Sequence, residues 1–104
     1  MANDLGLKHD AGKPRLDLVD SLAIEGLGQA LAFGASKYGD HNWRGGIKWM
    51  RIIAALLRHT FAIHRGEDID PESGLLHVDH IGANWMFLSW HMRMKKELDD
   101  RWTG

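Results

Sequence analysis

The chain has 104 residues, 44% of them hydrophobic and 26% charged, with a formal net charge of −1 at pH 7 and no cysteine. The missing cysteines exclude disulfide scaffolds, thiol nucleophiles and cysteine-ligated zinc, and the small net charge disfavours binding to duplex nucleic acid, which normally needs a strongly basic face. The length predicts a single domain over residues 1–104, and the lack of a leader-like start or a long apolar run predicts a cytoplasmic protein that does not enter a membrane.

The first element is an extended arm over residues 1–19. Its polar composition, with Gly12 and Pro14, follows no helical period. The arm is basic, and we assign Lys13 and Arg15 to the binding of an anionic ligand.

The first predicted helix spans residues 20–38. Asp20 is typical of an N-cap, because its carboxylate accepts from free first-turn amides, and Gly39 is typical of a helix end. Every fourth residue along one stripe is small, which would let another helix approach closely. This stripe consists of Gly26, Ala30 and Gly34.

A second helix is predicted over residues 47–65, after a glycine-rich loop, and it stops at Gly66. Its apolar face is interrupted by His59. Arg58 directly precedes His59, late in the same apolar helix, where a guanidinium needs an anionic partner.

A third helix is predicted over residues 71–98, with Asp70 as N-cap and Pro71 at the first helical position. Apolar residues lie on both sides of its polar stripe, so the stripe points into the protein or into an interface. The predicted fold class is all-α, with three main helices after the arm and a bundle completed in a homodimer or homotetramer. The polar stripe contains Ser73, His77, His80, Asn84 and His91.

Three histidines on the apolar faces of the second and third helices suggest a metal-binding site, and we predict His59, His77 and His80 as its ligands. The connection between the second and third helices is acidic, with four carboxylates within residues 67–72, and it supplies the candidate catalytic carboxylates Glu67, Asp70 and Glu72. Magnesium or manganese is expected with a bound nucleotide, while the histidines also suit zinc or another transition metal. The structural alternative is that these histidines only hydrogen-bond one another and the backbone.

Basic and aromatic residues complete a phosphate-binding hypothesis, in which arginine holds phosphate oxygens and an aromatic ring stacks on a base. The alternative for each is a solvated surface charge or a core aromatic. The predicted substrate-binding residues are Lys13, Arg15, Lys37, Trp43, Arg44, Arg58 and Asn84.

With these residues, the sequence resembles the phage dATP/dGTP diphosphohydrolase N-terminal-domain family of the MazZ type. The resemblance implies a relation to the all-α MazG-like enzymes, which cleave a nucleoside triphosphate to monophosphate and pyrophosphate with a divalent metal and assemble as dimers or tetramers. The resemblance also implies enzymatic activity on purine nucleotides in the host cytoplasm. The matching segments are residues 12–18, 33–44, 58–59 and 66–74, followed by His77, His80 and Asn84.

MazG-like enzymes hold metal with paired Glu-x-x-Glu and Glu-x-x-Asp motifs on adjacent helices, but at the positions where these should stand the chain carries Arg-His-Thr-Phe (residues 58–61) and His-Val-Asp-His (residues 77–80). This departure motivates an alternative, a non-catalytic nucleotide-binding protein of the sponge type. A structural oligomerisation module, with a polar stripe that fixes helix register, is a third hypothesis. A histidine-aspartate phosphohydrolase ranks below these, because the segment from His77 to His80 lacks an adjacent His-Asp pair.

Overall fold

The computed structural model describes residues 5–104, so the first four residues of the predicted arm lie outside the described part. The fold is all-α, as predicted, and the described residues contain no β-strand, only an isolated bridge between Ile69 and Leu76. The α-helices are α1 (Ser21–Tyr38), α2 (Trp49–His64) and α3 (His77–Met94), with short 3-10 turns at Leu16–Leu18, Asn42–Gly45 and Lys96–Leu98.

Both ends of α1 follow from local chemistry. The Asp20 carboxylate accepts a hydrogen bond from the amide of Ala23 at 3.0 Å, which confirms it as the N-cap. Gly39 ends the helix with φ 91°, a backbone conformation that glycine adopts without steric cost, and its amide donates to the carbonyl of Ala35.

Helices α2 and α3 form an antiparallel hairpin that carries most of the interhelical packing. His91, late in α3, is fully buried, and its Nε2 accepts from the amide of Ile47, before α2, at 2.9 Å. Its Nδ1 lies 2.7 Å from the Phe87 carbonyl and must donate to it. His91 is therefore a neutral structural histidine that fixes the register of the hairpin.

The start of α3 differs from the prediction. The helix begins at His77, not at residue 71, and ends at Met94 rather than near residue 98. Asp70 caps a tight turn instead of a helix, because its carboxylate accepts from the Glu72 amide at 3.1 Å and the Ser73 hydroxyl at 3.2 Å. Gly74 then takes a positive φ of 73°, which breaks any continuous helix from Pro71. Ser73 therefore belongs to this turn and not to the helical stripe.

Helix α1 packs on the other side of α3 through two of the three small residues predicted for close approach, while Gly34, the third, has no neighbour within 4 Å of an added Cβ. Gly26 lies against the Asp79 carboxylate, Ala30 is buried, and Leu27 faces Gly82. Helices α1 and α2 hardly touch each other, since both pack on α3. An open groove of about 1380 Å³ therefore lies between them, with α3 as its floor.

Candidate functional site

Three polar side chains from α2, the turn before α3, and α3 itself meet at the edge of this groove. Each of His59, Asp70 and His80 offers a ligand atom, and these atoms all lie within 4.8 Å of one another. His59 and His80 stack with ring centroids 4.7 Å apart and planes 10° from parallel, and Asp70 Oδ2 lies 3.4 Å from His80 Nε2. We call these three residues the histidine–aspartate trio.

Asp70 is held in place by the turn that it caps. Burial alone would raise the pKa of the Asp70 carboxyl, but hydrogen bonds from the Glu72 amide and the Ser73 hydroxyl outweigh it, and the pKa is lowered. The carboxylate therefore stays ionised and oriented, which suits a metal ligand better than a general acid.

His80 is fixed from two sides. The Ser73 hydroxyl lies 2.7 Å from His80 Nε2, and the ring of Phe33 on α1 meets the imidazole edge-on with centroids 5.9 Å apart. Ser73 thus contacts two members of the trio, Asp70 and His80. The sequence interpretation placed Ser73 on a stripe and missed this role, and the Asp-Pro-x-Ser turn spacing was the available signal.

His77 lies beside the trio, and its atoms are engaged elsewhere. Its Nδ1 is 2.8 Å from Nδ1 of His59, and its Nε2 is 3.3 Å from Oε1 of Glu67. Burial, followed by the neighbouring His80 and His77, lowers the pKa of His59, so this imidazole is neutral at pH 7. A neutral imidazole is the form that binds metal.

Glu72 and Lys37, predicted in catalytic and substrate-binding roles, pair with each other. Lys37 Nζ lies 2.7 Å from Glu72 Oε1, and this hydrogen bond raises the pKa of Lys37. Both residues line the groove. An anionic ligand in the groove would therefore compete with Glu72 for the ammonium group.

Cations outnumber carboxylates among the residues that line the groove. Arg44 and Arg58 line it as predicted, and so do Lys48 and Arg51, which the sequence interpretation did not select. Among residues 5–104, none of these four forms an ion pair with a carboxylate. Such unneutralised cations beside the trio suit a polyphosphate ligand.

The aromatic group predicted to stack on a base is largely engaged within the protein. The Trp43 ring packs against Phe87 and Trp90, with centroids 5.1 and 5.0 Å apart, and Arg44 covers it at 4.3 Å. Trp43 therefore positions Arg44 at the groove. Asn84 also lines the groove, and its amide group donates to the His80 carbonyl at 2.9 Å.

The arm residues are not brought to this site within one chain. Lys13 and Arg15 line a separate surface depression formed by residues of the arm, and Arg15 is paired with Asp17 at 2.8 Å. Their assignment to substrate binding remains a prediction that this chain's own groove does not support.

The donor set of the trio fits a divalent transition metal. Two imidazoles and one carboxylate are typical of sites for manganese, iron, cobalt or zinc, whereas magnesium prefers oxygen ligands.

In the described part of the chain, no helix is long and apolar enough to cross a membrane.

The fold and site together define an all-α protein with a histidine–carboxylate cluster at the edge of a basic groove. A family model described as dATP/dGTP diphosphohydrolase, N-terminal, matches residues 3–101, and the chain belongs to this family. This confirms the family predicted from the sequence.

A dATP/dGTP diphosphohydrolase of Salmonella phage PMBT28 is 38% identical over 100 residues. The match covers 95% of this chain but 34% of that relative, so the chain spans about a third of the relative's length. No solved structure matches the chain.

Proposed function

We propose that this chain is a metal-dependent nucleotide diphosphohydrolase that converts purine deoxynucleoside triphosphates to monophosphate and pyrophosphate. The observation that carries the proposal is the position of the histidine–aspartate trio at the edge of a groove lined by unpaired cations. The name of the phage relative supports the substrate class. A phage relative also favours the host cytoplasm as the place of action.

The proposed division of labour follows from the contacts. Arg44, Arg51 and Arg58 bind the phosphate oxygens, and their guanidinium groups offset the charge that develops on the leaving pyrophosphate. His59, Asp70 and His80 would hold the metal, which when bound acts as a Lewis acid and lowers the pKa of water.

The carboxylate of Glu72 is the proposed proton acceptor. It lies on the groove and is released when a phosphate engages Lys37. Water attacks the α-phosphorus, the bond to the bridging oxygen of pyrophosphate breaks, and the proton of the water passes to Glu72. Lys37 thereby links substrate binding to the freeing of the base.

The test is incubation with each of the four deoxynucleoside triphosphates and their ribonucleotides, with Mn²⁺, Mg²⁺ or EDTA, followed by separation of the products. We expect monophosphate and pyrophosphate from dATP and dGTP, more product with Mn²⁺ than with Mg²⁺, and none with EDTA. Asp70→Asn should lower kcat about 100-fold or more, since it removes the charged member of the trio. His64→Ala, which changes an exposed histidine at the end of α2, is the matched control.

Two other outcomes have distinct meanings. Tight binding of a nucleotide without turnover would overturn the enzyme and favour the nucleotide-binding alternative. Neither binding nor turnover with any nucleotide and metal would remove both.

We also propose that a second copy of the chain covers an apolar face of the α2/α3 hairpin. Exposed or half-buried apolar residues recur at intervals of three or four on each helix, as in seams between helices. On each helix, the apolar stripe lies on the same rotational side of the residues that contact the other helix. Because α2 and α3 are antiparallel, the two stripes therefore lie on one face of the hairpin. We call this face the hairpin seam, formed by Met50, Ile53, Leu57 and Phe61 on α2 and by Val78, Ile81, Trp85, Leu88 and Met92 on α3.

The exposure of the hairpin seam supports this assembly. Trp85 is 59% exposed, Phe61 55% and Val78 53%, a large apolar surface for a small chain. None of the seam residues lines the groove. Two hairpins that pair through this face would form a four-helix bundle with both grooves open to substrate.

A further inference from the structure

His77 is a buried histidine whose two nitrogens both have polar neighbours. Nδ1 is 2.8 Å from Nδ1 of His59, and Nε2 is 3.3 Å from Oε1 of Glu67. The His77 side chain is 7% exposed and that of Glu67 is 46% exposed, so the three residues lead from the interior to the surface. His77 itself stands outside the histidine–aspartate trio.

The carboxylate of Glu67, at the surface end, determines which ring nitrogen of each histidine carries the proton. An ionised carboxylate only accepts hydrogen bonds, so His77 must carry its proton on Nε2 and donate to Glu67. In the neutral form of His77 the ring has one proton, so Nδ1 is then an acceptor. His59 must therefore carry its proton on Nδ1 and donate to His77.

The number of protons on each ring also determines which nitrogen of His59 carries the lone pair. With its single proton on Nδ1, its lone pair lies on Nε2. The opposite arrangement would point the lone pair of His77 Nε2 at the carboxylate of Glu67, which is repulsive. Glu67 thus selects the tautomer of His59 through one intervening ring.

We propose that Glu67 and His77 form an outer hydrogen-bond chain that holds His59 in the Nδ1–H tautomer, so that His59 Nε2 is ready to bind the metal of the trio. In this assignment His77 is a positioning residue and not a metal ligand, and Glu67 acts through His77 and not on the substrate. Outer carboxylates that fix metal-binding histidines typically contribute 10- to 100-fold to metal affinity. The inference deepens the proposed function and rests on its metal site.

The experiment compares Glu67→Ala with Asp68→Ala, which removes the neighbouring carboxylate of an exposed residue. Asp68 supplies only its backbone carbonyl to this region, as acceptor for the His77 amide at 2.9 Å. Glu67→Gln is the rescue variant, since its side-chain oxygen can still accept from His77 Nε2. Unfolding by denaturant verifies that each variant is folded.

The first readout is long-range proton–nitrogen NMR of the metal-free protein with ¹⁵N-labelled histidine, above the ordinary histidine pKa of about 6.5. We expect His59 as the Nδ1–H tautomer and His77 as the Nε2–H tautomer in the wild type and in Asp68→Ala. In Glu67→Ala, His59 should divide between its two tautomers, and Glu67→Gln should restore much of the original pattern. An Nε2–H tautomer for His59 in the wild type, or unchanged spectra in Glu67→Ala, would overturn the inference.

The second readout is the affinity for Mn²⁺ alone, measured by electron paramagnetic resonance. Glu67→Ala should weaken it about 10- to 100-fold, Glu67→Gln less, and Asp68→Ala not at all. Loss of all Mn²⁺ binding in His77→Ala with none lost in Glu67→Ala would make His77 a ligand and refute the proposal. If the wild type binds no Mn²⁺, the metal-dependent function fails, whereas the tautomer spectra still decide whether the hydrogen-bond chain exists.

Discussion

A methyl group at Gly26 would test the closest approach between α1 and α3. A Cβ at Gly26 would lie 2.6 Å from Cγ and 2.8 Å from Oδ2 of Asp79, whereas one at Gly28 on the same helix meets nothing within 4 Å. Each glycine-to-alanine change gains about 1 kcal/mol of helix propensity, and overpacking costs about 1 to 3 kcal/mol. We therefore expect Gly28→Ala to stabilise the protein, and Gly26→Ala to be about 1 to 3 kcal/mol less stable than Gly28→Ala.

The assay is unfolding by urea at one fixed protein concentration, repeated in an Asp79→Ala background. There the obstructing carboxylate is gone, and Gly26→Ala should stabilise the protein by about the same amount as Gly28→Ala. Equal effects of the two glycine substitutions in the wild-type background would refute the packing argument, because Asp79 would then offer no resistance at Gly26.

Three further predictions concern charge, the core and assembly. Burial, followed by the neighbouring His80 and His77, lowers the pKa of His59 in the folded state, so the unfolded chain takes up the proton first as the pH falls. We therefore expect the free energy of unfolding, measured by denaturation across pH, to be constant above about pH 6.5 and to fall below it. The fall should be smaller in His59→Gln. His91→Phe leaves a backbone amide without its acceptor and should lower the free energy of unfolding by about 1 to 3 kcal/mol in urea titrations. Trp85→Glu places a charge in the hairpin seam and should convert a dimer to a monomer in light scattering, while a wild type that is already monomeric would contradict the proposed assembly.

The ends of α1 could be predicted because their signals are local. Asp20 and Gly39 act on residues within one turn of themselves. The start of α3 could not be predicted in the same way, because Asp70 followed by proline is equally suited to capping a turn. The decision came from Gly74, whose positive φ closes that turn before the helix begins.

The site shows the same division between local and long-range information. His59 and His80 interrupt apolar stripes, which predicts that they point inward, and the structure brings them together with Asp70. The separate position of His77 depends on the register of α2 against α3, which is set by contacts far apart in sequence, such as the one between His91 and residue 47. No pattern within a single helix contains that register.

The small contact between α1 and α2 has a consequence for local stability. Since α1 hardly touches α2, we expect a local opening of α1 away from the α2/α3 hairpin to cost less free energy than global unfolding. The backbone of the trio belongs to the hairpin and its connecting turn, whereas α1 contributes the Phe33 ring against His80 and the Lys37 pairing with Glu72. Such an opening would widen the groove for a bulky ligand and would release these two contacts, while the backbone positions of the histidines and the aspartate are kept.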